Sequence, residues 1–145
     1  MIAIDTNILI YAHRAESSLH KEVDRHFTEL AASGNPWAIP WPCLHEFLAI
    51  VTHPKIYNPP TPLAEAILQI ESWLKSPSLH LIGETEGYWP FLKDQLISTK
   101  FTGPRVHDVK IAAVCLQHDV KILWSADRDF SRIKGLKVFN PLFSH

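Results

Sequence analysis

The chain has 145 residues, of which 46% are hydrophobic and 20% are charged, and its net charge is −1 with the nine histidines counted as neutral. This length and composition predict one globular domain over residues 1–145 and exclude a disordered chain. The charge balance excludes a basic field over the whole surface, so any nucleic-acid binding must depend on a local patch.

Apolar periodicity and turn residues divide the chain into alternating strands and helices. Strands are predicted over 1–5, 37–39, 79–82, 121–125 and 136–139. Helices are predicted over 6 to about 11–14, 18–33, 42–52, 62–75, 88–100 and 107–118. The alternation predicts a three-layer α/β/α sandwich around a central, mostly parallel sheet of four to five strands. A proline-rich loop at 53–60 and a turn at 102–104 interrupt the pattern.

The N-terminal segment, Met-Ile-Ala-Ile-Asp, has neither basic residues nor a long apolar stretch, so we expect no signal peptide. The apolar runs elsewhere are too short to span a bilayer. The two cysteines, Cys43 and Cys115, are expected to be reduced thiols. These features predict a cytoplasmic protein without membrane association.

Four carboxylates lie in apolar surroundings: Asp5, Glu46, Asp108 and Asp127. Asp5 and Asp127 follow apolar runs and are predicted at the carboxyl edge of the sheet, where α/β proteins bind ligands. Glu46 and Asp108 lie on helices with apolar neighbours, and the helix around Glu46 is expected to be central rather than solvated. If the four meet, they need a cation, and oxygen ligands favour magnesium or manganese. Such a site is typical of phosphate chemistry.

Each acid also has a simpler interpretation. Asp5, Asp108 and Asp127 suit helix caps or turns, and a lone helical glutamate is usually solvated. A zinc site formed by Cys43-x-His45 and Cys115-x-x-His118 is disfavoured, because neither spacing contains paired cysteines.

The acids lie in motifs that resemble those of a known family. Residues 3–9, Ala-Ile-Asp-Thr-Asn-Ile-Leu, are similar to the opening motif of PIN-domain ribonucleases. Leu-His-Glu-Phe-Leu around Glu46 and Val-His-Asp-Val-Lys-Ile-Ala around Asp108 resemble their second and third motifs. Ser-Ala-Asp-Arg-Asp-Phe over 125–130 resembles the closing motif. The order and spacing resemble VapC-type toxins of toxin–antitoxin pairs over essentially the whole chain.

The resemblance implies a PIN-like fold and a metal-dependent endoribonuclease that hydrolyses RNA through a metal-activated water. It also implies inhibition by a cognate VapB-type antitoxin and a homodimer. The implied magnesium or manganese ligands are Asp5, Glu46, Asp108 and Asp127. The implied supporting residues are Thr6, Asn7, Ser125 and Asp129, with Asn7 orienting Asp5 or a metal-bound water.

RNA contacts would need positive charge or aromatic surface beside the acids. The candidate cations are Arg14, Lys55, Lys100, Arg105, Lys110 and Arg128, and the candidate stacking residues are Trp41 and Tyr57. Solvated charge and ordinary packing remain alternatives for each. Two other functions stay open: a catalytically silent PIN-like module that binds RNA or protein, and a receiver-type signalling domain. The single aspartate after the first strand disfavours the receiver.

Overall fold

The structure, a computed structural model, describes residues 1–143. Its strands are β1 (Ile2–Ile4), β2 (Trp37–Pro40), β3 (Leu79–Ile82), β4 (Ile122–Trp124) and β5 (Lys137–Phe139). Its α-helices are α1 (Thr6–His13), α2 (His20–Ala32), α3 (Trp41–Val51), α4 (Leu63–Leu74), α5 (Tyr88–Thr99) and α6 (Val106–Gln117). Short 3₁₀ helices cover Gly103–Arg105, Arg128–Arg132 and Pro141–Phe143. Every predicted strand and helix is therefore present, with ends that differ by at most two residues.

The five strands form one parallel sheet in the order β3-β2-β1-β4-β5. All four residues of β2 are buried, as expected for a strand covered by helices on both faces. The predicted three-layer α/β/α arrangement is confirmed. The strand order excludes the receiver alternative, because receivers place β1 between β2 and β3, whereas β1 here lies between β2 and β4.

Parallel pairing brings the carboxyl ends of the strands to one edge. Ile4 lies opposite Trp124, and Pro40 lies opposite Ile82. The residues that follow these strands are Asp5, Trp41, Gly83 and Ser125. The edge therefore collects the starts of α1 and α3 with the loops that follow β3 and β4.

Helix α4 carries an aliphatic stripe, Leu63, Ile67, Ile70 and Leu74, of which only Ile70 packs against the core. Leu63 is 63% exposed and Ile67 is 45% exposed, whereas Trp73 is only 8% exposed. The Trp73 ring packs on Phe27 and Phe47, with centroid separations of 5.9 and 5.0 Å. Burial of the indole outweighs burial of the aliphatic stripe, because aromatic side chains bury the largest apolar area.

The proline-rich loop is fixed by Arg14, which caps the C-terminal end of α1. The guanidinium donates Nη1 to Thr61 Oγ1 at 3.0 Å and Nη2 to the Pro59 carbonyl at 3.1 Å. It also lies 4.1 Å from the centre of the Tyr57 ring. These contacts hold the loop against α1, at the opposite end of that helix from Asp5.

Across residues 1–143, no helix is both long and apolar enough to cross a membrane.

The packing of α4 predicts a contrast between two substitutions on one helix. Trp73→Ala should lower the free energy of unfolding by about 3–5 kcal/mol, because it empties an aromatic core site. Leu63→Ala should change it by about 0.5 kcal/mol or less, because Leu63 lies at the surface. Urea unfolding of both variants measures this difference, and equal losses would contradict the orientation of α4.

Candidate active site

Asp5 is the buried centre of the carboxyl edge. It is only 5% exposed, and it caps α1 by accepting a hydrogen bond from the Thr6 amide at 2.8 Å. Its second carboxylate oxygen accepts a hydrogen bond from the Ser125 hydroxyl at 2.7 Å. Thus Asp5 serves as a helix cap while its carboxylate lies at the edge where the other acids meet.

The loop after β4 is organised by its own side chains. The Ser125 hydroxyl accepts a hydrogen bond from the Asp127 amide at 3.0 Å. The Asp127 carboxylate accepts one from the Asp129 amide at 2.9 Å and so caps the 3₁₀ helix Arg128–Arg132. Ser125 therefore occupies its predicted supporting position, since it connects Asp5 with this loop.

Three carboxylates converge beside Asp5. One oxygen from each of Asp108, Asp127 and Asp129 lies within 4.8 Å of the others, and all three residues are half-buried. Asp108 reaches this group from the first turn of α6. Asp129 was expected only to support the ligands, yet its carboxylate belongs to the closest group.

The expectation that Glu46 is shielded from solvent is wrong. Glu46 is exposed, as are its helical neighbours Trp41, His45 and Ala49. The helix α3 buries only one face, and the other borders an open cleft, so apolar content around Glu46 did not mean burial. The carboxylate is still directed to the site, because it accepts a hydrogen bond from the Thr6 hydroxyl at 3.3 Å.

The acids repel one another electrostatically. Burial, followed by the negative charges of Asp127, Asp5, Asp129 and Glu46, raises the pKa of Asp108 to about 6. Burial is also the largest cause that raises the pKa of Asp5, and the charge of Glu46 adds to it, while hydrogen bonds from Ser125 and Thr6 act in the opposite direction. The four acids and Asp129 thus form one interacting cluster of like charge.

Asn7 connects two elements of the edge. Its side-chain oxygen accepts a hydrogen bond from the Ala126 amide at 3.2 Å, so it ties α1 to the loop after β4. The contact places Asn7 beside the loop that carries Asp127, whereas Asp5 itself is held by other groups.

The cysteines do not form the zinc site considered above. The Cys43 thiol donates to the Asp5 carboxylate at 3.7 Å, and burial raises its pKa well above its ordinary value, so it stays protonated. A His118 ring nitrogen lies 2.7 Å from the Gly83 carbonyl. Within residues 1–143, the carboxylate trio is the single group of three or more suitably placed ligand atoms.

The candidate RNA contacts separate into two places. Arg105 lies beside the acids, with its Nε 3.7 Å from Asp129, and Lys110 lines the cleft next to Asp108. Arg128 is exposed in the loop after β4. Arg14 and Tyr57 instead contact each other at the proline-rich loop, away from the acids.

Among the other candidates, Lys55 is exposed in the proline-rich loop, and Lys100 is exposed at the end of α5. Trp41 lies at the carboxyl edge and is 46% exposed.

Two histidines border the site in a way that the sequence did not predict, since His45 was considered only as a zinc ligand and His107 was given no role. His45 and His107 line the same cleft as Glu46 and Asp108. Each immediately precedes a motif acid, on α3 and α6 respectively. That adjacency was the available signal, because consecutive residues on a helix can border one depression.

The raised pKa of Asp108 predicts how stability depends on pH without metal. The ordinary pKa is 3.8 and the folded one is about 6. Between these values the folded chain binds more protons than the unfolded chain, so the free energy of unfolding falls as the pH rises from 3.8 to about 6. Urea unfolding with a chelator should give a shallower decline for Asp108→Asn. The exposed Asp94→Asn should keep the wild-type slope, and a wild-type slope for Asp108→Asn would contradict the assignment.

Comparison with known proteins shows which family the chain resembles. The PIN domain model matches residues 2–136. Ribonuclease VapC48 of Mycobacterium tuberculosis is 27% identical over 137 residues, which are 94% of this chain and 94% of the relative. Ribonuclease VapC43 of the same organism is 28% identical over 142 residues, which are 98% of this chain and 96% of the relative.

Solved structures share the fold. VapBC2 from Rickettsia felis, bound to a DNA fragment from its promoter, superposes with a TM-score of 0.72 at 19% identity and covers 97% of this chain and 98% of that one. VapC20 of Mycobacterium tuberculosis, a toxin that cleaves the sarcin-ricin loop, has a TM-score of 0.66 at 15% identity, with 90% and 93% covered. The extent of the family match establishes that this chain belongs to the PIN domain family.

Proposed function

We propose that this protein is a metal-dependent endoribonuclease that hydrolyses RNA phosphodiester bonds. The observation that carries the proposal is the convergence of Asp108, Asp127 and Asp129 within 4.8 Å, next to Asp5, in a PIN domain. The names of the relatives, VapC ribonucleases, support the same activity.

The side chains at this edge fit magnesium or manganese. The five acids offer carboxylate oxygen atoms, the donors that these ions prefer. The cluster also lacks sufficient positive charge of its own, since within residues 1–143 only Arg105 pairs with one of these acids, with its Nε 3.7 Å from Asp129. A divalent cation bound here would supply an activated water and shield the charge of a scissile phosphate.

We assign metal binding to Asp5, Glu46, Asp108 and Asp127, and we add Asp129 because its carboxylate lies in the closest group. The surrounding residues position these acids. Ser125 holds the Asp5 carboxylate, Thr6 holds that of Glu46, and Asn7 holds the loop after β4.

We further propose that the protein is the toxin of a VapBC-type pair and is inhibited by a cognate VapB-type antitoxin. The similar folds of VapBC complexes support this assignment. We also propose that the protein forms a homodimer in the cytoplasm. Its apolar contact surface would be the outward face of α4, where large side chains lie exposed: Leu63, Ile67, Leu68 and Leu74.

The activity is tested by RNA cleavage with magnesium or manganese. Asp5→Asn and Asp108→Asn should lower the rate by on the order of 100-fold or more, because each removes charge that the reaction needs. Asp94→Asn is the matched control, since it changes the same chemical group at an exposed position on α5. Cleavage that survives both site substitutions would contradict the proposed mechanism.

The enlarged ligand set is tested by calorimetric titration with manganese. Asp129→Asn should weaken binding by about 10-fold or more, whereas Asp94→Asn should bind like the parent protein. Equal affinities would return Asp129 to a supporting role. The parent protein is titrated with magnesium in the same way. If it binds neither manganese nor magnesium at millimolar concentration, a catalytically silent module becomes the better description.

A further inference from the structure

The cleft between α3 and α6 continues directly from the acidic site. It has a volume of about 540 Å³ and includes Glu46 and Asp108 in its wall. Its remaining lining is a mixture of apolar, imidazole and ammonium groups: Pro42, His45, Ala49, Pro104, His107, Lys110 and Ile111. A ligand in this cleft would therefore lie beside the carboxylates.

An aromatic platform stands at one end of the same helix face. The Trp41 ring lies 6.0 Å from the ring of His45, at an interplanar angle of 37°. Trp41 is nevertheless 46% exposed, so part of its indole remains free for a ligand. A Cβ atom at Gly83 would come within 3.3 Å of the indole, so glycine at this position leaves room for the ring.

The cleft also contains positive charge that the protein does not neutralise. Lys110 is half-buried, and its ammonium group has no ion-pair partner within the described part of the chain. His107 is exposed on the same wall. An unpaired cation on the same helix as Asp108 suits a ligand whose phosphate approaches the acidic site.

We propose that Trp41 and this cleft form a subsite for an unpaired nucleotide of single-stranded RNA. This inference rests on the proposed ribonuclease function. A base would stack on the free part of the Trp41 indole, with its phosphate directed to Lys110.

An unpaired base fits the platform better than a duplex does. Proteins recognise unpaired bases by stacking them on aromatic side chains, whereas the bases of an RNA helix are stacked on each other. Trp41 precedes Glu46 by five residues, about 7.5 Å along the helix axis. Trp41 also contacts the ring of His45, which lines the cleft together with Glu46, so one RNA strand can reach both the platform and the acids.

The subsite is tested by measuring RNA binding without cleavage. The background is Asp127→Asn in magnesium buffer, and the probe is a fluorescently labelled single-stranded RNA of mixed sequence, followed by anisotropy. Trp41→Ala should weaken binding by about 10-fold, the effect expected when one base loses its stacking partner. Trp41→Tyr should retain most of the affinity, because tyrosine still offers an aromatic face.

Trp89→Ala is the matched control. Trp89 is 59% exposed on α5, so its loss removes the same side chain away from the cleft and should leave affinity unchanged. The same RNA annealed to its complement should bind Trp41→Ala and the background protein alike. Circular dichroism of each variant confirms that the fold is intact, and Trp41→Tyr supplies the comparison if alanine unfolds the chain.

The outcomes separate the subsite from the activity. If Trp41→Ala binds single strands as Trp89→Ala does while the parent protein cleaves RNA, the subsite is wrong and the ribonuclease stands. In that case the exposed Trp41 surface would instead bind a protein partner. If single-strand binding depends on Trp41 but the parent protein cleaves no RNA, the subsite stands and the proposed activity fails.

Discussion

The hydrogen bond from Ser125 to Asp5 organises the whole carboxyl edge. It joins residues that are 120 positions apart, at a distance of 2.7 Å, and it depends on the parallel register that sets Ile4 opposite Trp124. The same hydroxyl accepts from the Asp127 amide. One serine therefore fixes a buried carboxylate and the loop that delivers the next one, and a shift of either strand would separate the acids.

Two of the like-charged carboxylates at this edge are also used by the backbone. Asp5 caps α1, and Asp127 caps the 3₁₀ helix that follows it. Capping and metal binding were alternatives for these residues, yet the two uses are compatible, because a carboxylate has more acceptor sites than one amide can occupy. Within residues 1–143 no backbone amide donates to the Asp108 carboxylate, and it is the acid whose pKa rises to about 6.

Much of this structure could be predicted from the sequence, because strand and helix patterns are local. The sheet and the positions of Asp5 and Asp127 at its edge depend on such patterns together with the rules for parallel connections. Side-chain environment depends on tertiary packing and was less predictable. Glu46 lies in an apolar sequence but borders an open cleft, and α4 is oriented by Trp73 rather than by its aliphatic stripe.

The direction of the Asp129 side chain could not be predicted from the local sequence either. Its carboxylate joins those of Asp108 and Asp127 because the 3₁₀ turn at Arg128–Arg132 directs it back toward α6. Sequence spacing alone cannot distinguish a side chain that points toward α6 from one that points to solvent.

Helix α1 connects two distant parts of the molecule. Asp5 caps its first turn and Arg14 caps its last, and Arg14 also clasps the proline-rich loop through Thr61 and Pro59. The eight residues of α1 rise about 12 Å along the helix axis, so Arg14 holds the proline-rich loop well away from the carboxylates. A substitution at Arg14 would therefore change how this loop is held without removing any acid of the cleft.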